Sequence, residues 1–593
     1  MAATSEGAEG RTIVDVWRRA VERNSPNAAF LAKEGRAWRE VGWREADERI
    51  DQLAAGFLAL GLRKGDKVAI LSRTRLEWTL CDYALASIGA VVVPIYQTNS
   101  REECRYVVAD SAARGLICED AEQLEKTAGF EHELPALEFT FAFETADGGA
   151  IALADVAERG RAYTAESPNA VAEARAGLSP SDVLTYIYTS GTTGDPKGCV
   201  LTHGNWAAVI DSIDRTDGLI QSDDTVLLFL PLAHNFARLV QFAGAQIGFT
   251  LAFEPDVNRV ARALVEVQPT VFPSVPRLYE RVYKTLRGRL EQAEGMKGRI
   301  AKWALGVGRR AAARRADGGR PGPLLALQLR VADRLVFSKV KERFGGRLRH
   351  AVSGGAPLAA EIIEFFASCG ILILEGYGLT ETTSAVSVNR PAHYRFGSVG
   401  LPVPGVDVAL ADDGEIKVRG AGIFQGYYGK DEATAEVLTP DGWLLTGDIG
   451  TIDDDGFVAI TDRKKELIVT AGGKKISPSN LENELLATGY VASAFVVGDN
   501  RSYLAALVYP NLEELEKSAP SEAEQRELIQ RAIDQVNEHH GPVERIHRFA
   551  ILARDFSAEE GEITPTLKVK RKIVEEHFRD EIEGLYRREA ARA

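Results

Sequence analysis

The sequence predicts an α/β protein. It should have a large N-terminal domain of parallel-sheet α/β subdomains plus a β-rich subdomain, followed by a small mobile α+β C-terminal domain. Three observations carry this. From Ile13 to Leu374, short apolar strands alternate with helix-length amphipathic segments, the rhythm of parallel sheets covered on both faces. Gly400 to Arg419 is rich in Pro, Gly and Val and reads as all-β. The charged connector Asp462-Arg463-Lys464-Lys465-Glu466 is followed by about 130 residues with their own strands and helices, enough for an independent domain.

Residues 1–12 are expected to be disordered, 13–461 to form the large domain, 462–465 the hinge and 466–593 the small domain. An amphipathic pattern from Ile13 to Val21 opens the fold. Trp43 to Leu60 reads as a second helix, with Ile50, Leu53, Ala54, Phe57 and Leu58 on one side. Lys67–Leu71 and Ala90–Pro94 read as strands flanking a helix from Glu77 to Ile88, and the pattern returns at Thr225–Leu230, Thr270–Phe272 and Gly370–Leu374. Gly318-Gly319-Arg320-Pro321-Gly322-Pro323 should divide two helices, since neither residue type suits a helix interior. Strands are expected again at Ala494–Val497 and Ala505–Val508.

The 593 residues exceed what one core holds. The start lacks a basic stretch followed by an apolar core, and no run of about 18 apolar residues appears. A cytoplasmic protein is expected. Cys81, Cys104, Cys118, Cys199 and Cys369 form no CxxC pair, which argues for free buried thiols rather than a zinc site. Net charge is −14, yet from Lys284 to His350 basic residues outnumber acidic ones more than threefold. Apolar residues interleave with these charges. The mixture suits a surface lying on the anionic inner face of a membrane better than a duplex reader, and no nucleic-acid partner is expected. A solvated helical face is the alternative. The sequence is silent on oligomeric state.

The strand-like run Leu184–Tyr188 leads into Thr189-Ser190-Gly191-Thr192-Thr193-Gly194-Asp195-Pro196-Lys197-Gly198. Glycines let backbone N–H groups turn toward an anion, and the hydroxyls with Lys197 supply further donors for phosphate oxygens. It is not the common P-loop, because Lys197 precedes a glycine rather than a hydroxyl residue. Gly376-Tyr377-Gly378-Leu379-Thr380-Glu381-Thr382 follows another buried strand. A carboxylate beside a hydroxyl there can hold Mg²⁺ against phosphate, and Tyr377 offers a stacking ring. Val352–Pro357 permits close backbone approach to a planar ligand. Trp443–Asp448 ends an apolar run with an acid suited to ribose hydroxyls.

In this order the segments resemble the adenylate-forming superfamily of acyl-CoA synthetases, luciferases and peptide-synthetase adenylation domains, from about Val14 to Val574. Pro273–Val282, the basic insertion after it and Leu230-Pro231-Leu232-Ala233-His234 resemble the long-chain fatty acid–CoA ligase branch. The resemblance implies ATP, coenzyme A and a long-chain fatty acid as substrates, with Mg²⁺ as cofactor. Thr189 to Lys197 would close over the outer phosphates, and Thr189 and Glu381 would hold Mg²⁺. Gly354, Gly355, Glu375, Gly376, Tyr377 and Thr380 would frame the nucleotide, with Asp448 and Arg463 on ribose. Catalysis would involve His234, Thr380, Glu381 and Lys568. Lys465 would be the hinge, and Gly472 would let the arm of coenzyme A pass.

Two departures stand out. Leu567 replaces a frequent glycine before the lysine aligned as Lys568, so Lys570 and Lys572 compete for its role. Some bacterial long-chain enzymes carry a gating tryptophan where this chain has Arg238, which leaves an Arg-controlled or differently shaped entrance. An enzyme loading a carrier protein and a non-catalytic membrane sensor of acyl groups or nucleotides are the alternative readings.

Overall fold

Buried β-branched strands and the helices between them build two mainly parallel sheets in a computed structural model. The described residues are 10–35, 37–144, 149–189, 195–291, 295–316, 318–464, 466–471, 474–512, 514–515, 519, 521–557, 560–563 and 569–587.

The first sheet has seven strands, in the order Ile151–Ala152, Phe139–Ala142, Gly115–Cys118, Lys67–Leu71, Val91–Ile95, Val183–Thr189 and Lys197–Thr202. All neighbours are parallel except the last pair, a hairpin. The second has nine, with a parallel centre: Leu372–Tyr377, His350–Ser353, Val271–Ser274, Thr225–Leu228, Thr250–Phe253 and Phe30–Glu34 lie side by side. Antiparallel strands close both edges. The helices Leu76–Ser87 and Asn235–Ile247 lie between the sheets, and the largest apolar core runs across this seam. Eleven of the twelve residues of the Leu76–Ser87 helix are buried, Glu77 being the exception, which explains why its sequence is mostly apolar on every side rather than amphipathic.

Val406–Leu410, Glu415–Gly420, Leu444–Ile452 and Val458–Arg463 form an antiparallel four-stranded sheet, the expected β-rich subdomain. Its last strand runs through Asp462 and Arg463. The C-terminal part is α+β: Val491–Val497, Leu504–Pro510 and Ile546–Ile551 form a three-stranded sheet with its own two apolar clusters. Helices end at Ala316 and begin at Pro323, with the Gly/Pro segment between them. All five cysteines are buried and free, and burial pushes their thiols up. Among the described residues no helix is long and apolar enough to cross a membrane.

The structure divides the basic block. Lys284 Nζ donates to the Val491 carbonyl at 3.1 Å and Arg287 Nη1 to that of Ala487 at 3.4 Å, tying the helix Pro276–Glu291 to the C-terminal part. Arg349 pairs with Asp224, and Lys341 with Asp333 at 2.6 Å. Most of the exposed cations lie between, at 297–339, with Arg343 and Arg347 beyond them.

Candidate active site

Thr189 and Lys197 stand opposite each other at the loop end of the hairpin. Ser190, Gly191, Thr192, Thr193 and Gly194 lie outside the described residues, as do Lys465, Gly472 and Lys568. The segment from Phe424 to Tyr428 runs beside the hairpin's second strand. Val200 N–H donates to Gly426 O and Gln425 N–H to Val200 O at 3.0 Å each, and Tyr428 N–H donates to Gly198 O at 2.8 Å. This places the Tyr427 ring 5.1 Å from Lys197 Nζ, while its hydroxyl donates to Glu381 Oε1 at 2.7 Å. Burial and the Glu381 charge raise the Tyr427 phenol well above its ordinary value. Thr189, Lys197 and Glu381 thus come together around a tyrosine that the sequence reading missed. Its only local signal is the Gly426-Tyr427-Tyr428-Gly429 run.

The strand Leu372–Tyr377 ends in the second cluster. Tyr377 donates to Asp448 Oδ2 at 2.6 Å, and Arg463 Nε meets Asp448 Oδ1 at 3.2 Å. Asp448 and Arg463 face each other across adjacent strands, which fixes both carboxylate oxygens. Burial, then the Asp448 charge, raises the Tyr377 hydroxyl far above its usual range. Burial works against the Arg463 charge, but Asp448 and its neighbours hold that guanidinium above its ordinary value. Glu375 lies on the same strand, accepts from Leu358 N–H at 3.2 Å and is pushed up to about 7 by burial.

Glycine is required where the wall is thinnest. A Cβ on Gly378 would sit 1.2 Å from the Ser384 carbonyl oxygen, and Gly355 has φ +86°. Thr380 opens the single 3₁₀ turn Thr380–Thr382 that carries Glu381.

A cavity of about 830 Å³, mouth included, begins at this wall. Gly354, Gly355, Gly376, Tyr377 and His234 line one end; Ile213, Val226, Val240, Ala243, Phe249 and Val271 line the apolar remainder. His234 caps the helix Asn235–Ile247, its Nδ1 accepting from Phe236 N–H at 3.1 Å. Asn235 Nδ2 donates to Leu379 O at 3.0 Å and anchors the same helix start to the Glu381 loop.

Arg238 does not control this entrance. On that helix Asn235, Leu239 and Ala243 face the cavity, whereas Arg238 points away and is wholly buried. It meets Asp82 at 2.6 Å and donates to Thr185 Oγ1 at 2.7 Å, with Trp78, Trp206 and Phe242 rings 5.3–5.5 Å from its guanidinium carbon. Of the two entrances left open by the sequence, the Arg-controlled one falls away because a helix turns about 100° per residue, and position 238 falls on the core face.

The geometry brings together a cluster of polar and charged side chains, Lys197, Glu381 and Tyr427, and an apolar cavity behind a glycine-bearing wall. The chain belongs to the AMP-binding enzymes, whose family model matches residues 17–428; the model of the AMP-binding enzyme C-terminal domain matches 465–590. It is 39% identical to the long-chain-fatty-acid–CoA ligase FadD15 of Mycobacterium tuberculosis over 96% of each chain. The long-chain-fatty-acid–CoA ligase ACSBG2 of Xenopus laevis is 30% identical, over 97% of this chain and 84% of that one. Among solved structures, the adenylation domain of a carboxylate reductase from Mycobacterium chelonae superposes with a TM-score of 0.75 at 24% identity, covering 97% of this chain and 91% of that one.

Proposed function

We propose that the chain is a long-chain fatty acid–CoA ligase that works through an acyl-adenylate. The observation that carries this is the cavity, which joins the Gly354–Gly355–Tyr377 wall to an apolar interior. A fatty carboxylate oxygen attacks the α-phosphorus of ATP, and the bond to pyrophosphate breaks. The thiolate of coenzyme A then attacks the acyl carbon, and AMP leaves. Two displacements with good leaving groups replace one with a poor one.

In this reading Asp448 and Arg463 hold ribose, and the Tyr377 ring and the glycines frame adenine together with Glu375. Lys197 and the hairpin loop bind the outer phosphates. Glu381 and Thr189 offer the hard oxygen donors that suit Mg²⁺, whose usual protein share is one or two carboxylates beside substrate phosphates. Tyr427 would orient the Glu381 carboxylate toward it. Among the described residues no three His, Cys, Asp or Glu side chains converge, so the nucleotide would supply the remaining ligands. Bound there, Mg²⁺ would neutralise phosphate charge. Lys568 would bridge carboxylate and α-phosphate as negative charge builds. The C-terminal part, 466–593, would pivot at 462–465 between the two half-reactions, with Gly472 on the coenzyme A path. His234 would lie where the acyl path meets the nucleotide. The reading includes peripheral contact of the basic block with an anionic membrane on its cytoplasmic side.

Palmitate, ATP and coenzyme A should yield AMP and palmitoyl-CoA together. Palmitoyl-AMP that accumulates unconsumed in the presence of coenzyme A would overturn the assignment.

A further inference from the structure

The segment Pro323–Ala332 and the wider turn Asp333–Phe337 after it are apolar on both sides. Leu325, Leu329, Ala332 and Phe337 turn inward to the main core. Leu324, Leu327, Val331 and Leu335 point outward, 70%, 57%, 44% and 47% exposed. Their spacing of three, four and four residues puts them on one stripe of the helix. Single exposed leucines are ordinary on protein surfaces, but four in a row on one helical face mark an interaction surface.

Charge identifies the occupant. Arg330 and Arg334 flank the stripe and Arg320 precedes it, all exposed. Between 295 and 340 the sequence carries eleven Lys and Arg against Asp317 and Asp333. All eleven cations are exposed, and Asp333 is committed to Lys341 at 2.6 Å. A second copy docked face to face would bring these cations against their own counterparts. An apolar stripe also offers nothing to a nucleic-acid backbone. An anionic bilayer satisfies both features at once, because acyl chains receive the aliphatic side chains while headgroups meet the arginines.

We infer that the Pro323–Phe337 face is a membrane-docking surface, lying in the interface of an anionic bilayer with Leu324, Leu327, Val331 and Leu335 inserted. The inference deepens the membrane contact in the functional reading by assigning it to one face. It also removes Lys284 and Arg287 from the contact, since both are engaged with the C-terminal part. It does not depend on ligase activity.

The test is co-sedimentation of the full chain with vesicles of phosphatidylglycerol and phosphatidylcholine, and with phosphatidylcholine alone, in the absence of substrates. The chain should partition onto the anionic vesicles. The triple variant Leu324→Ser, Leu327→Ser and Leu335→Ser should lower partitioning at least ~10-fold, as should the triple variant Arg320→Gln, Arg330→Gln and Arg334→Gln. Raising salt to about 0.5 M should weaken binding through the arginines. AMP release with fatty acid delivered by cyclodextrin should be unchanged in both variants, so failure of the ligase reading would show in the activity arm alone. Equal binding to neutral and anionic vesicles, or undiminished binding by either variant, would overturn the inference. So would a concentration-dependent dimer that the leucine variant abolishes while vesicle binding is absent.

Discussion

Arg238 and Asp82 form an ion pair of 2.6 Å in which both side chains are wholly inaccessible to solvent. The pair joins the two parallel-sheet regions: Asp82 sits on the Leu76–Ser87 helix and Arg238 on the Asn235–Ile247 helix, which lines the cavity with its other face. Gln241 donates to the same carboxylate at 2.7 Å, and Thr185, on the strand leading to the proposed phosphate loop, accepts from Arg238. Burial raises the Asp82 carboxyl and lowers the Arg238 guanidinium, so the ionised state depends on each having the other. Arg238→Met, which fits the space but strands Asp82, should cost ~3–5 kcal/mol. Asp82→Asn combined with Arg238→Met should cost clearly less than the sum of the single changes. Urea unfolding of the four proteins measures this, and strict additivity would count against a coupled pair.

Glu375 gives a pH signature. Its carboxyl moves from 4.5 to about 7 through burial, partly opposed by the bond from Leu358 N–H. The folded chain therefore holds this proton more tightly than the unfolded chain. The resulting stability is fully present below pH ~4.5 and is lost as pH rises through about 7. Glu375→Gln is neutral throughout. Its stability relative to the parent should rise by up to ~3 kcal/mol between pH 4.5 and pH 8. His203 and His350, both pushed down to about 4 by burial, destabilise the fold as pH falls, but they cancel in this difference. A parent–variant difference that stays flat with pH would contradict the burial argument.

The sheets were legible because strand and helix periods are local properties, and so was the break at Gly318–Pro323. The segments proposed for the nucleotide could be singled out because each is a contiguous run at a strand end. Tyr427 was not, because its role comes from Phe424–Tyr428 pairing with Gly198–Val200, a contact far apart in the chain. The cavity was hidden for the same reason, being assembled from two helices, five strands and the loops between them. Arg238 is different. Its distance from His234 suggested an entrance, whereas the helical face on which it falls decides against one.

Tyr427 is the test of how Glu381 is oriented. Its hydroxyl holds one carboxylate oxygen at 2.7 Å. A hydrogen bond to a charged acceptor is worth ~1.5–3 kcal/mol, roughly 10- to 150-fold in an equilibrium. Tyr427→Phe should raise the Mg²⁺ concentration for half-maximal AMP release by at least ~10-fold while leaving the ring under Lys197. Unchanged Mg²⁺ dependence would remove Tyr427 from the site.

Gly378 should tolerate no side chain. Even alanine would place a carbon 1.2 Å from the Ser384 carbonyl oxygen, and both residues line the cavity. The wall must shift, so Gly378→Ala should cost at least ~1–3 kcal/mol and depress activity further than that loss explains. Gly429→Ala, where a Cβ meets no atom within 4 Å although φ is +60°, separates backbone strain from collision. Equal effects at the two positions would show that collision with Ser384 is not what matters.

Asp448 tests the ribose assignment without touching the acyl cavity, whose wall it does not join. Both its oxygens are fixed, one by Tyr377 and one by Arg463, so the carboxylate is already oriented before a ligand arrives. Asp448→Asn keeps the shape but surrenders the charge-assisted bonds to a diol, so KM for ATP should rise by roughly 10- to 100-fold. The KM for fatty acid should stay within about twofold, because no acyl contact changes. The sharper readout is 2′-deoxy-ATP. The parent should discriminate against it, since the missing hydroxyl leaves a buried carboxylate oxygen less satisfied, and Asp448→Asn should lose most of that discrimination. A variant that still distinguishes ATP from 2′-deoxy-ATP as well as the parent would move the ribose elsewhere, and Arg463 with it.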